Sequence, residues 1–205
     1  MISADSCLKS VIRRLEFVIS TRYSIMKHFL PTGDELIIRP PEHNDAAGLL
    51  ASFQRLTRET DYLLFTRSES MELDIASEED YIQSYTDNPN QLLLVAIVRD
   101  QIIGSINVNH TGLHKKAHTA EIGIAVEKQW NNMGIGRRLL TAMLRWTESR
   151  AALRLIYLHV FSTNEKAMQL YRNFGFMECG RLPNGIMQKN GNYVDLVTMY
   201  LDLKR

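Results

Sequence analysis

The chain has 205 residues, 45% of them hydrophobic, with 24 Lys and Arg against 23 Asp and Glu and a net charge of +1. That length supports one core of ordinary domain size, and the even charge balance removes the electrostatic case for nucleic acid as a partner. The two cysteines, Cys7 and Cys179, form neither a disulfide framework nor a CxxC metal pattern, and no apolar run approaches the roughly 20 residues that cross a bilayer, so neither a metal nor a membrane partner is expected.

Taken in chain order, Leu8, Val11, Ile12, Leu15 and Val18 recur at helical spacing, which predicts an amphipathic helix over residues 6–19. Pro31 and Gly33 break the pattern, so residues 1–33 are expected to form an N-terminal extension, with the main domain over 34–205. Met26 opens a stretch that would itself serve as a start. Charges at Asp5, Lys9, Arg13 and Arg14 argue against a secretory leader, and the expected location is the cytoplasm. "LIIRP" reads as a strand stopped by Pro40, and residues 42–56 as a helix with Ala46, Leu49, Leu50 and Phe53 toward one face.

Residues 57–76 have no clear period. Ser77 followed by Asp80 resembles a capping box that opens a helix running to about Tyr85. "LLLVAIV" and "IIGSINVN" flank a short polar turn and read as a strand pair, and "AEIGIAV" as a further strand with Gly123 at a bulge. Residues 134–149 carry Leu139, Leu140, Met143 and Leu144 on one helical face. A strand "LRLIYLHVF", a helix "NEKAMQLYRNFG" ended by Gly175, and the strands "FMECGRL" and "YVDLVTMYLDL" complete a mixed α/β order of about seven strands.

The stretch "QWNNMGIGRRLL" sets Gly134 and Gly136 at the start of a helix and follows them with Arg137 and Arg138. A helix N-terminus has unpaired amides and a positive dipole end, and glycine lets an anion approach the backbone closely. The same glycines would also serve a tight turn. Position 139 is Leu, so the spacing is not the G-x-G-x-x-G of dinucleotide binding, and no Gly-Lys-Ser/Thr of a P-loop is present. Tyr171 sits among Ala167, Leu170 and Phe174, where by itself it reads as a core aromatic on an amphipathic helix. Glu121 reads as an exposed strand-edge carboxylate, and His110, His118 and His159 are titratable candidates that more often serve as hydrogen-bonded strand or loop residues.

"IGIAVEKQWNNMGIGRRLL" followed by "LHVFSTNEKAMQLYRNFGFMECG" resembles the two core motifs of the GCN5-related N-acetyltransferase (GNAT) superfamily, and the resemblance extends over residues 35–203. It implies an α/β (α+β) GNAT fold: a mixed, mostly antiparallel sheet of six or seven strands with helices on both faces. It implies acetyl-CoA as cosubstrate, with Ile124 and Val126 pairing to the pantetheine arm through their backbone groups. The amides of Met133, Gly134, Ile135, Gly136, Arg137 and Arg138 would hold the pyrophosphate. Asn164 would bond the pantetheine and Ala167 would leave room for it. Where the family loop starts with Arg or Gln, this chain has Asn131, so Arg137 and Arg138 are left to supply positive charge.

Direct acyl transfer to an amine expels a thiolate, which a phenol of pKa about 10 can protonate. The resemblance gives Tyr171 that role and offers Glu121 as the base. The implied activity is N-acetylation of a primary amine on a small cationic molecule or a peptide. A non-catalytic acyl-CoA-binding protein and a protein N-terminal acetyltransferase of the ribosomal-protein type are the alternatives. Family members often form homodimers, and a second copy is an expected partner. Residues 57–80 carry eight acidic residues against Arg58 and Arg67, a local charge of −6. Such a segment would either attract a cationic acceptor or serve as a solvated loop and helix start.

Overall fold

In a computed structural model, residues 25–204 are described. The helix expected over residues 6–19 lies outside them. An eight-stranded sheet runs in the order β1-β2-β3-β4-β5-β6-β8-β7. Its strands are β1 (Met26–Phe29), β2 (Glu35–Arg39), β3 (Leu92–Val98), β4 (Gln101–Asn109), β5 (Thr119–Val126), β6 (Leu155–Phe161), β7 (Met177–Met187) and β8 (Tyr193–Asp202). The helices are α1 (Ala46–Glu59), α2 (Arg67–Glu72), α3 (Ile75–Asp87), α4 (Ile135–Glu148) and α5 (Glu165–Asn173). The class matches the expectation, with one strand more than the upper count. The additional strand is β1, which pairs antiparallel with β2 from Met26↔Ile38 to Phe29↔Glu35. The boundary expected after residue 33 falls in the turn of this hairpin.

The two faces of the sheet are covered by different helices. Leu94, Ile106, Ile122, Ile156 and Leu158 meet Ile135, Leu139 and Met143 of α4 and Met168 and Tyr171 of α5. On the other face Leu93, Val95 and Ile97 of β3 meet Ala46 and Leu49 of α1 and Ile82 and Tyr85 of α3. The alternation of side chains along each strand separates the two sets.

Two local readings need correction. Helix α3 starts at Ile75 rather than at Ser77: Asp74 is its N-cap, accepting hydrogen bonds from the Ser77 amide (2.8 Å) and the Ser77 hydroxyl (2.7 Å). Gly123 is not at a bulge, because the β4–β5 register runs unbroken from Gly104↔Val126 to Asn109↔Glu121. A Cβ at Gly123 would lie 2.5 Å from Asn107 Oδ1, so this glycine is there to let the cross-strand amide fold over it. The register shift in this part of the sheet falls instead at Ala96 and Ile97 of β3. The turn between β3 and β4 uses Arg99 (φ 51°) and Asp100 (φ 59°), the left-handed pair of a type I′ hairpin.

Candidate active site

β5 and β6 are the parallel pair of this sheet, and they pair only at Thr119↔Leu155, Ala120↔Ile156 and Glu121↔Tyr157. Beyond that point the strands part and leave a wedge. The Glu127 amide donates to the Ile103 carbonyl (2.9 Å), continuing the β4–β5 register. In an antiparallel ladder this puts Glu121, Gly123 and Ala125 in exchange with β4, and turns the N–H and C=O of Ile124 and Val126 toward the wedge. These groups are a free strand edge against which an extended, amide-containing arm can pair.

The mouth of the wedge is closed by the N-terminus of α4. Gly134 is its N-cap, at φ +77°, and nothing lies within 4 Å of where its Cβ would be. The amides of Ile135, Gly136 and Arg137 have no acceptor among the described residues, so they point at open space with the positive end of the helix dipole behind them. Arg138 differs. Its amide donates to Gly134 C=O (3.0 Å), and its guanidinium lies on the β1 flank of the helix, where its charge helps burial hold the His28 imidazole below its usual pKa. Arg137 stays at the wedge, its guanidinium 5.6 Å from the Phe174 ring centre. Gly136 serves helix packing as well: a Cβ there would press on Leu170 Cδ2 at 3.2 Å, so glycine lets α5 lie close to α4.

Helix α5 forms the other wall. Asn164 is its N-cap, and its Oδ1 accepts from the Ala167 amide (3.3 Å), leaving the side-chain amide group as a donor. Ala167, Leu170 and Phe174 are half-buried against the core. The helix ends in a Schellman motif around Gly175 (φ +87°), where the Gly175 amide donates to Arg172 C=O (2.9 Å) and the Phe176 amide to Tyr171 C=O (3.1 Å). The hydrophobic contact that accompanies the motif is Phe176 on Tyr171, ring centres 5.8 Å apart. The Phe-Gly-Phe sequence therefore fixes the Tyr171 ring. Tyr171 is 6% exposed, burial pushes its phenol above the ordinary value of 10, and its hydroxyl has no hydrogen-bond partner among the described residues.

Glu121 sits at the last paired position before the strands part. Burial together with the nearby Glu121 carboxylate holds the Tyr157 phenol above its ordinary value. His159 Nε2 lies 3.9 Å from Glu121 Oε1, and His159 Nδ1 meets Thr198 Oγ1 at 3.1 Å. The other candidate histidines are elsewhere. His110 holds its own loop through the Gly112 amide (3.1 Å) and Ala117 C=O (3.1 Å), and His118 is exposed just before β5 begins.

One residue that sequence reasoning missed is Glu127, 1% exposed at the end of β5. Its Oε1 accepts from Ser52 Oγ (2.9 Å) and Arg55 Nε (2.9 Å), and its Oε2 from Gln129 Nε2 (3.3 Å). It ties the loop that leads into α4 to α1. A glutamate closing an apolar strand run was the visible signal, but Ser52 and Arg55 lie more than 70 residues away.

Much of the acidic segment is occupied structurally. Glu59 accepts from the Lys128 amide (3.0 Å), Asp61 from the Lys189 amide (2.9 Å), and Glu69 closes a capping box with Thr66. Lys189, at the tip of the β7–β8 hairpin, donates to Thr57 C=O (2.9 Å) and Thr60 C=O (3.0 Å), so the hairpin is strapped onto the end of α1.

A sheet split between two parallel strands, with a free helix N-terminus at the opening, defines a protein that binds an anionic, amide-bearing carrier arm and works on what the arm presents. The acetyltransferase (GNAT) family model matches residues 56–176, and the chain belongs to that family. It is an acyl-CoA-dependent N-acyltransferase with acetyl-CoA as cosubstrate. It is 27% identical over 123 residues to the L-amino acid N-acetyltransferase AaaT of Escherichia coli, a match covering 60% of this chain and 75% of that one. It is 32% identical over 127 residues to the spermidine N(1)-acetyltransferase of Vibrio cholerae, covering 60% and 70%.

A solved GNAT-family acetyltransferase from Streptococcus pneumoniae superposes with a TM-score of 0.78 at 28% identity, over 82% of this chain and 99% of that one. The structure of yncA, a putative acetyltransferase from Salmonella typhimurium with acetyl-CoA, shares the fold at a TM-score of 0.72 and 19% identity, over 83% and 95%.

Proposed function

We propose that this protein transfers the acetyl group of acetyl-CoA directly to the primary amine of a small cationic molecule. The observation that carries this reading is the wedge itself. The free edge of Ile124 and Val126 and the unoccupied amides of Ile135, Gly136 and Arg137 offer the backbone groups that such a carrier needs, and the Tyr171 hydroxyl is left without a partner among the described residues. In this reading the strand edge pairs with the pantetheine, Asn164 donates to it past Ala167, and the loop of Met133 and Gly134 with the first turn of α4 holds the pyrophosphate. Arg138, whose amide is used within the helix, adds long-range charge only.

Chemistry follows from the two sides of the wedge. Glu121 takes a proton from the acceptor's ammonium, and the freed nitrogen attacks the thioester carbon. The tetrahedral intermediate gives up its remaining ammonium proton to solvent and collapses to the amide, the C–S bond breaks, and the Tyr171 hydroxyl gives its proton to the leaving thiolate and is reprotonated from solvent. Burial favours this assignment, because a phenol raised above 10 is fully protonated at neutral pH and available to donate.

The acceptor class is supported by the groups on the α1/α3 side. An amino acid needs a cation for its carboxylate, whereas a polyamine needs carboxylates and aromatic faces. The wall formed by Glu121, Tyr157, Asn107, Tyr81 and the His159 imidazole favours the second. Work in the cytoplasm fits a cosubstrate of this kind. The test is thiol release from acetyl-CoA with a panel of polyamines, amino acids, aminoglycosides and N-terminal peptides. Turnover confined to cationic small amines is expected. Preference for anionic or zwitterionic amines would overturn the acceptor class, and no thiol release with any amine would overturn the reaction.

A further inference from the structure

Glu78 lies on α3 and is only 8% exposed. Other acidic residues of the same segment are occupied: Glu59, Asp61, Glu69 and Asp74 each accept from a backbone amide. The Glu78 carboxylate has neither a hydrogen-bond nor an ion-pair partner among the described residues. Its oxygens are also not among the sealed, unsatisfied atoms of those residues, which are Trp130 Nε1 and Arg138 Nε. The carboxylate oxygens of this 8% exposed residue therefore keep some contact with solvent. A charge so placed is costly unless something pairs with it.

Its surroundings say what that is. Tyr81 and Tyr85 follow Glu78 on the same side of α3 and pack edge to face, with ring centres 5.0 Å apart. Glu78 is close enough to Tyr81 that its charge adds to burial in raising that phenol. Asn107 Nδ2 donates to both tyrosine oxygens at 3.0 Å, and its Oδ1 covers Gly123. Gly123 stands between Glu121 and Ile124 on β5. A continuous wall thus runs from Glu78 through Tyr81 and Asn107 to the edge of the wedge.

We propose that Glu78, with the partly exposed Tyr81 ring beside it, is a remote subsite for a second cationic group of the acceptor, so that the preferred acceptor is a diamine or longer polyamine whose reacting nitrogen lies at the Glu121 end. A buried carboxylate beside aromatic rings is the arrangement that holds an alkylammonium by charge-assisted hydrogen bonds and cation–π attraction. The site rests on the acetyltransferase reading given above.

The test compares 1,3-diaminopropane to 1,6-diaminohexane with 1-aminoalkanes of matched length, read as thiol release by wild type and Glu78→Gln. Wild type should favour the best diamine over its monoamine by about 10- to 100-fold in kcat/KM, the range of a charge-assisted contact. Glu78→Gln should remove that preference by raising the diamine KM, with the monoamine KM and acetyl-CoA affinity unchanged. Its melting temperature at neutral pH should equal or exceed that of wild type, because a buried charge has been removed. Equal preference in wild type, or a preference that survives in folded Glu78→Gln, overturns the subsite while leaving the acetyltransferase reading intact. Equal preference in wild type overturns the subsite even if Glu78→Gln does not fold, and Glu78→Asp, which keeps the charge, then serves as the variant whose shifted chain-length optimum supports it.

Discussion

Replacing Tyr171 with Phe removes one oxygen and keeps the ring. The hydroxyl has no partner among the described residues, so the variant leaves no buried donor or acceptor stranded, and stability should change by less than about 1 kcal/mol. The ring, 6% exposed and pinned on Phe176, should be worth about 3–5 kcal/mol when truncated to Ala. Catalysis should separate the two variants in the other sense. Loss of a general acid costs about 10²–10⁴ in rate, so Tyr171→Phe should lower kcat by that much while acetyl-CoA affinity is retained. Because burial raises the phenol above 10, the wild-type decline in kcat from losing this proton should fall above pH 10 and be absent in Phe. The assay is single-turnover acetyl transfer followed by thiol release, which isolates chemistry from product departure. A loss in Phe below about threefold, with activity failing only in Ala, would return Tyr171 to a packing role and leave proton delivery to water.

Two further outcomes are expected. Glu127→Ala should destabilise the fold by about 1–3 kcal/mol, because the buried Ser52 hydroxyl loses its acceptor while the partly exposed Arg55 keeps Ile102 C=O, and should raise the KM for acetyl-CoA because the loop leading into α4 loses its tie to α1; chemical denaturation and initial rates measure both. If the acidic side of the cleft steers a cationic acceptor, kcat/KM should fall as ionic strength passes about 0.1 M, where screening acts within about 10 Å, and a flat response would assign the segment to local structure alone.

The parts of this molecule that could be read in the sequence are those whose physics is local. Gly134 and Gly136 mark a helix N-terminus because the left-handed N-cap and the close approach of Leu170 both require glycine within a few residues. The Phe174, Gly175, Phe176 run marks the end of α5 because a Schellman motif is written in consecutive residues. What stayed hidden depends on distant partners. Glu127 is explained by Ser52 and Arg55 on α1, Gly123 by Asn107 on the neighbouring strand, and β1 by its pairing with β2. The cap of α3 was misplaced because Ser77 and Asp80 fit the capping pattern one turn too late, while Asp74 accepts from Ser77 itself. The acidic residues of 57–80 read as a single charged stretch, but the fold gives most of them separate tasks and leaves Glu78 without a partner among the described residues.

The central claim, that the wedge takes acetyl-CoA with its pyrophosphate on the first turn of α4, is tested most directly by calorimetric titration of acetyl-CoA into wild type and Gly134→Glu. The substitution meets no neighbour within 4 Å, and its left-handed φ of +77° costs only about 1–2 kcal/mol, so the variant should fold. It places a side chain and a negative charge on the free amides of Ile135, Gly136 and Arg137. The prediction is clear binding in wild type and none in the folded variant; unchanged affinity in a variant shown by circular dichroism to be folded would contradict it.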